Sequence, residues 1–122
     1  MPSVELSTHR RDGQVVVTLS GELDVVDAAR IAAALAVIAA SGNQIIVDLA
    51  GLEFIDSSGL AALVRARQHA RNAGFDVLLA APQQQVRRML AITRVIDVFS
   101  VHACVDEAAG NRVLLTDAGT LT

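Results

Sequence analysis

The residues best placed to do chemistry in this 122-residue chain form the run Asp56-Ser57-Ser58-Gly59. An apolar segment precedes the run and an apolar helical pattern follows it, so we expect it to lie at a helix start. The first turn of a helix offers unpaired backbone N–H groups and a partial positive charge, which stabilise anions such as phosphate. The same residue types are also ordinary helix caps. The run by itself therefore leaves two roles open, capping and phosphorylation.

Other chemistries find little support. Ser57 lacks the Gly-x-Ser-x-Gly pattern of a serine hydrolase, and no general acid–base pair accompanies it. His9, His69 and His102 are dispersed and have no metal-ligand spacing. Cys104 is the only cysteine, which excludes an internal disulfide. We therefore predict that the protein is not an enzyme and that it holds no cofactor and no metal.

Composition narrows the class of partner and the compartment. Apolar residues make up 52% of the chain, the net charge is −3, and the basic residues are spread out, so no nucleic-acid footprint is present. The N-terminus lacks the order of a signal peptide. The apolar stretch 28–40 is interrupted by Arg30 and is too short to span a bilayer. These features predict a cytoplasmic protein that contacts neither membrane nor nucleic acid.

The pattern of elements predicts an α/β fold. An Asp12-Gly13 hairpin is followed by strands that alternate with helices, which favours right-handed crossovers and a mixed sheet of four to five strands with about four helices. Gly21 is expected to end the second strand, Asp27 to cap the first helix after a loop at 22–26, and 48–56 to connect the third strand to the second helix. The predicted strands are 4–8, 14–20, 45–47, 76–80 and 98–101, and the predicted helices are 28–40, 57–73, 82–93 and 105–112.

A single domain is expected over residues 1–122, with its folded core at about 4–110 and a loose C-terminal tail at 113–122. Apolar positions at strand and helix spacing are predicted to form one core. Its members are Val15, Val17, Leu19, Ile45, Val47, Leu60, Leu63, Val64, Val77, Leu79 and Leu90.

The context of the Asp-Ser-Ser-Gly run resembles a known family. An apolar strand, Asp-Leu, Gly-Leu-x-Phe-Ile, Asp-Ser-Ser-Gly-Leu and an apolar helix follow one another in the segment 45–64. The segments 20–24 (Ser-Gly-Glu-Leu-Asp), 89–99 and 105–108 match further parts of the same pattern. Over about residues 4–110, the chain resembles the STAS domain, and within it the bacterial anti-sigma factor antagonists.

That resemblance implies a fold and a regulatory cycle. It implies helices packed mainly on one face of the sheet. It implies that Ser57 is phosphorylated by a partner that is both anti-sigma factor and serine kinase, and that a serine/threonine phosphatase reverses the mark. The unphosphorylated protein would hold the partner and so free a sigma factor for transcription. Asp24, Asp56, Ser57, Ser58 and Gly59 would form the partner-binding site, with Ser58 the rival phosphosite and more naturally a backbone cap.

Two alternatives stay beside this hypothesis. A STAS module can belong to another assembly, such as a lipid-transport complex or a stressosome-type scaffold. The intact Asp-Ser-Ser-Gly run favours the antagonist, and the absence of a long N-terminal extension argues against the scaffold. An enzyme is the least supported of the three, for the reasons given above.

Overall fold

An antiparallel hairpin opens the fold. The computed structural model describes residues 3–110, beginning with strands β1 (Val4–Arg11) and β2 (Gln14–Leu23). Asp12 and Gly13 join them with φ angles of 52° and 80°. Positive φ at both loop positions is the requirement of a two-residue hairpin turn, and Asp-Gly meets it at low cost. The predicted hairpin is confirmed.

Parallel strands and crossover helices follow the hairpin. The order along the chain is α1 (Val25–Ala40), β3 (Ile45–Ile55), α2 (Ser57–Asn72), β4 (Val77–Ala80), α3 (Gln84–Ile92), a 3₁₀ turn (Val95–Asp97), β5 (Ser100–His102) and α4 (Val105–Ala109). The sheet order is β1-β2-β3-β4-β5, and only the β1–β2 pair is antiparallel. The α/β architecture with a mixed sheet is therefore confirmed. The predicted tail 113–122 lies outside the described residues.

The two faces of the sheet are covered unequally. Because side chains alternate along a strand, Val15 and Val17 point into a large core with α1, α2 and α3, whereas Val16 points into a small one under α4. Three of the four helices thus lie on one face, as expected. The predicted core is confirmed in full: ten of its members are buried there, and Val64 packs against it partly buried.

Strands β1, β2 and β3 are longer than the sequence pattern suggested, and β1 ends at Arg11 rather than at residue 8. Gly21 does not end β2, which continues to Leu23 through irregular pairing on either side of Gly21. The segment 48–55, predicted as a connection, is the second half of β3. Its alternation is obscured by Gly51 and Glu53, but pairing with the extended β2 holds it in strand conformation. Strands β2 and β3 therefore reach the same end of the sheet.

Several element starts also differ from the prediction. Helix α1 begins at Val25 and is capped by Asp24 rather than Asp27. Asp27 is buried instead, where its carboxylate accepts bonds from the Ser3 N–H and the Arg30 guanidinium. Helix α3 begins at Gln84, two residues after Pro82. The last strand is 100–102 rather than 98–101, because the N–H groups of Val98 and Phe99 donate to the Val95 carbonyl of the 3₁₀ turn.

Candidate functional site

The predicted site forms where β2 and β3 end side by side. Leu23 pairs with Ile55 in the parallel register, so the next residues, Asp24 and Asp56, are neighbours. The Asp56 N–H donates to the Leu23 carbonyl at 3.2 Å, which extends the pairing by one step. Each aspartate then caps a helix, Asp24 that of α1 and Asp56 that of α2. Two helix N-termini thus lie together at the carboxyl end of the sheet.

The Asp56 carboxylate holds both of these helix starts. One oxygen accepts from the Gly59 N–H at 3.0 Å, and the other accepts from the Val25 N–H at 3.1 Å. Asp24 supplies the more ordinary cap, since its Oδ1 accepts only from the Val26 N–H at 3.0 Å. The capping role expected of Ser58 is therefore wrong, because Asp56 already performs it.

Replacement of Asp56 by Ala is expected to destabilise the protein by about 2 kcal/mol, because two N–H groups on two helices lose their acceptor. Asp24→Ala is the matched control and should cost about 1 kcal/mol, since one N–H is affected. Urea denaturation followed by circular dichroism measures both. Equal costs for the two variants would contradict the bridging role of Asp56.

Ser57 is the exposed member of the site and lies between two grooves that flank α2. The α1–α2 groove has a volume of about 420 Å³ and is lined by Val25, Ala28, Ala29, Ala32, Ser57, Ser58, Ala61, Ala62 and Arg65. The α2–α3 groove, of similar volume, is lined by Ser57, Leu60, Ala61, Val64, Arg65, Gln68, Thr93 and Val95. Ser57, Ala61 and Arg65 belong to both. A partner that enters either groove would therefore meet the Ser57 hydroxyl.

Ser58 and Gly59 are less accessible than Ser57. Ser58 is half-buried and faces only the α1–α2 groove. A Cβ on Gly59 would lie 2.7 Å from Ile55 Cγ1 and 2.8 Å from Leu23 Cγ. Glycine at this position therefore lets the first turn of α2 approach the ends of β2 and β3, and its role is packing. The five predicted residues are brought together, but only Ser57 among them is exposed.

Exposed apolar side chains border the site, and they were not predicted from the sequence. Val25 and Val26, in the first turn of α1, are 68% and 79% exposed, and Phe54 is 48% exposed three residues before Ser57. The sequence does contain an indication of them. If a helix begins directly after Asp24, the two valines that follow lie in its first turn and cannot both point into the core. Large apolar groups left in water beside an exposed polar residue are typical of a protein-binding surface.

Two glutamines tie α3 to the strand that leads to Ser57. Strand β4 pairs with β3 only as far as Asp48, so the rest of β3 has no strand on that side. The Gln83 side-chain amide donates to the Ala50 carbonyl at 2.7 Å, and the Gln85 amide donates to the Glu53 carbonyl at 2.9 Å. These bonds take the place of strand pairing and hold the start of α3 against the second half of β3.

Comparison with known proteins agrees with this geometry. A family model described as the STAS domain matches residues 5–108. An anti-sigma factor antagonist from Mycobacterium paratuberculosis is 27% identical, with a TM-score of 0.78 over 88% of this chain and 92% of that one. Within residues 3–110, no helix is long and apolar enough to cross a membrane.

Two structures of SpoIIAA share the fold. The anti-sigma factor antagonist SpoIIAA in its unphosphorylated form is 23% identical, with a TM-score of 0.73 over 86% of this chain and 93% of that one. The Bacillus cell fate determinant SpoIIAA in the phosphorylated form is 22% identical, with a TM-score of 0.67 over 87% of this chain and 97% of that one. In SpoIIAA, this fold is therefore found in both a phosphorylated and an unphosphorylated form.

Proposed function

The chain belongs to the STAS domain family, and from that premise we propose that it is an anti-sigma factor antagonist switched off by phosphorylation of Ser57. Unphosphorylated, it binds an anti-sigma factor that is also a serine kinase. That binding releases a sigma factor, and a serine/threonine phosphatase restores the phosphorylated protein to its binding state. The observation that carries the proposal is the position of Ser57, exposed and shared by the two grooves beside α2.

The physics of a phosphate at Ser57 supports such a switch. Phosphorylation adds a charge of about −1.5 to −2 at pH 7. At the first position of α2 this charge is favoured by the helix dipole, so the domain stays folded. In a protein interface the same group must lose its water, and it would lie near the alanines and the valine that line the α1–α2 groove. One modification can therefore abolish binding without unfolding the protein.

The partner is expected to bind the surface made by Asp24, the first turns of α1 and α2, and Phe54. Its central contacts would be apolar, to Val25, Val26 and Phe54, with the acidic group of Asp24 at the border. A specific complex of this kind buries roughly 1,200–2,000 Å². Affinity capture from the native cell, followed by mass spectrometry, tests the proposal. Recovery of an anti-sigma factor with a kinase domain is the expected result, whereas recovery of a lipid-transport or stressosome assembly would favour the alternative STAS module.

The contributions of the acidic and the apolar parts of this surface to partner binding can be measured with variants that keep the protein folded. Asp24→Asn removes the charge but keeps an oxygen that can accept the Val26 N–H, so the melting temperature should change little. Val26→Asp places a charge on an exposed apolar contact. We expect each variant to weaken binding of the captured partner about tenfold in a titration by calorimetry.

Val37→Asp is the matched control for Val26→Asp. Val37 lies on the same helix and is 74% exposed, but it is near the end of α1 opposite to the turn that borders Ser57. The control should bind the partner with the affinity of the unmodified protein. Normal binding by both Asp24→Asn and Val26→Asp would place the interface elsewhere.

A further inference from the structure

Strand β1 is an open edge of the sheet. It pairs with β2 on one side only, and no other strand of the described chain lies beyond it. Because backbone groups alternate in direction along a strand, about half of the N–H and C=O groups of β1 point away from the sheet. The strand is eight residues long, and its central residues 7–10 are exposed. An edge of this length can accept another strand.

An exposed apolar part of α1 flanks this edge. A groove of about 450 Å³ lies between them, lined by Thr8, His9, Arg10 and Val15 on the sheet and by Val37, Ile38 and Ser41 at the end of α1. Val37 is 74% exposed. After Arg30, helix α1 contains no charged residue up to Ala40. The strand edge and the apolar helix side therefore form one continuous surface, at a distance from the Ser57 grooves.

We propose that a second copy of this chain pairs with β1, so that two five-stranded sheets join across a two-fold axis. Antiparallel pairing of β1 with its copy requires the axis to be normal to the sheet. Such an axis keeps every side chain on its own face, and directly opposite residues in a sheet share a face. Odd-numbered residues of β1 therefore pair with odd-numbered ones, and even with even.

Charge selects the register among the pairings that remain. With Thr8 on the axis, Glu5 lies opposite Arg11 of the second copy, and this pair occurs twice. The neighbouring register, with Ser7 on the axis, places Glu5 opposite His9 instead. Opposite charges across an antiparallel pair stabilise it, as does a pair of β-branched residues such as Thr8 with its copy. Glu5 and Arg11 lie on the opposite face of β1 from Thr8, where Arg11 already forms an ion pair with Asp106 of α4.

The same axis brings the exposed apolar side of α1 into contact with the α1 of the second copy. Thr8 is paired with Val17, which points into the core beneath α1, so α1 lies on the Thr8 face of β1. The two-fold operation then sets α1 beside its copy, with Val37 on the facing sides. Because the axis reverses strand direction, the two ends that carry Ser57 point in opposite directions. The dimer therefore leaves both switch sites accessible and does not depend on the function proposed above.

Sedimentation equilibrium of the full chain, with charge-exchange variants, tests the proposal. The unmodified chain should dimerise with a dissociation constant in the micromolar range. Glu5→Arg places an arginine opposite Arg11 of the second copy. Arg11→Glu likewise places a glutamate opposite Glu5 of the second copy. Each variant alone should dimerise about tenfold more weakly or worse, whereas an equimolar mixture of the two should regain a heterodimer, because every opposite pair is then complementary.

Val37→Asp and Val26→Asp supply a second comparison on the helix. Only the first should weaken dimerisation, because Val26 lies at the other end of α1. Loss of the Arg11–Asp106 ion pair in Arg11→Glu is separated from the interface effect by the rescue in the mixture. A chain that stays monomeric at ~100 µM, or a dimer that neither charge variant weakens, would overturn the proposal.

Discussion

Treatment with ATP and the captured kinase is expected to place one phosphate on Ser57, and Ser57→Ala is expected to abolish that labelling. Ser57 is exposed at the first position of α2, where a kinase can reach its hydroxyl, whereas Ser58 is half-buried against α1. Ser57→Ala should bind the partner permanently, because the small side chain leaves the apolar contacts in place. The phosphorylated protein should bind on the order of a hundredfold more weakly, since a charge of about −2 must be desolvated.

Ser58→Ala is the matched control for this experiment and should be phosphorylated normally. Ser57→Asp should bind weakly, though less so than the phosphoprotein, because one carboxylate carries about half of the charge. Both Ser57 variants should keep the melting temperature of the unmodified protein, since a helix start tolerates negative charge. Undiminished labelling of Ser57→Ala would refute the assignment. Loss of labelling only in Ser58→Ala would move the switch one residue along the helix.

Gly21→Ala is expected to lower the free energy of unfolding by about 3 kcal/mol or more. Gly21 has a φ of +98°, and an added Cβ would lie 2.2 Å from the Ser3 carbonyl oxygen. That oxygen accepts the Glu22 N–H at 2.8 Å, so it cannot move away without loss of a bond. The substitution must therefore distort the end of β2 that leads into Asp24. Urea denaturation monitored by circular dichroism measures the change.

Two other glycines separate the causes of this effect. Gly42 also has a positive φ, of +82°, but an added Cβ would meet only a Phe75 ring carbon at 3.8 Å. Gly42→Ala should therefore show the backbone cost alone, about 1 kcal/mol. Gly110 has a φ of −74° and ordinary contacts at 3.6 Å, so Gly110→Ala should change stability by less than about 0.5 kcal/mol. A Gly21→Ala variant no less stable than Gly42→Ala would show that the Ser3 contact is easily relieved.

The sequence predicted the fold wherever a local pattern was sufficient. The Asp12-Gly13 turn and the apolar run at 45–47 carry their own signals, namely turn chemistry and a doubly buried strand. The second half of β3 carries none, because Gly51 and Glu53 interrupt the pattern and only pairing with β2 makes it a strand. Its length became evident only from contacts between segments distant in the chain.

The site was predicted in outline, with the wrong assignment of two roles. The position of Ser57 at a helix start follows from the neighbouring residues alone. Which side chain caps that helix does not, because Asp56 and Ser58 are both suitable by type. The start of α1 at Val25 was missed because Asp27 offered an equally good cap, and the exposure of Val25 and Val26 was missed with it. Asp27 is instead buried and accepts the Ser3 N–H, and that is a tertiary effect.

The shared carboxylate of Asp56 makes the starts of α1 and α2 one cooperative unit. If the first turn of either helix opens, Asp56 loses one of the two bonds that orient it, and the other turn is then held less firmly. Effects of substitutions on the two turns should accordingly not be additive, although the residues are more than thirty positions apart in the chain. A disturbance of the first turn of α2 should thus reach Val25 through the Asp56 side chain. If Ser57 is phosphorylated as proposed, α1 therefore becomes part of the region that responds to the phosphate, although the modified residue lies on α2.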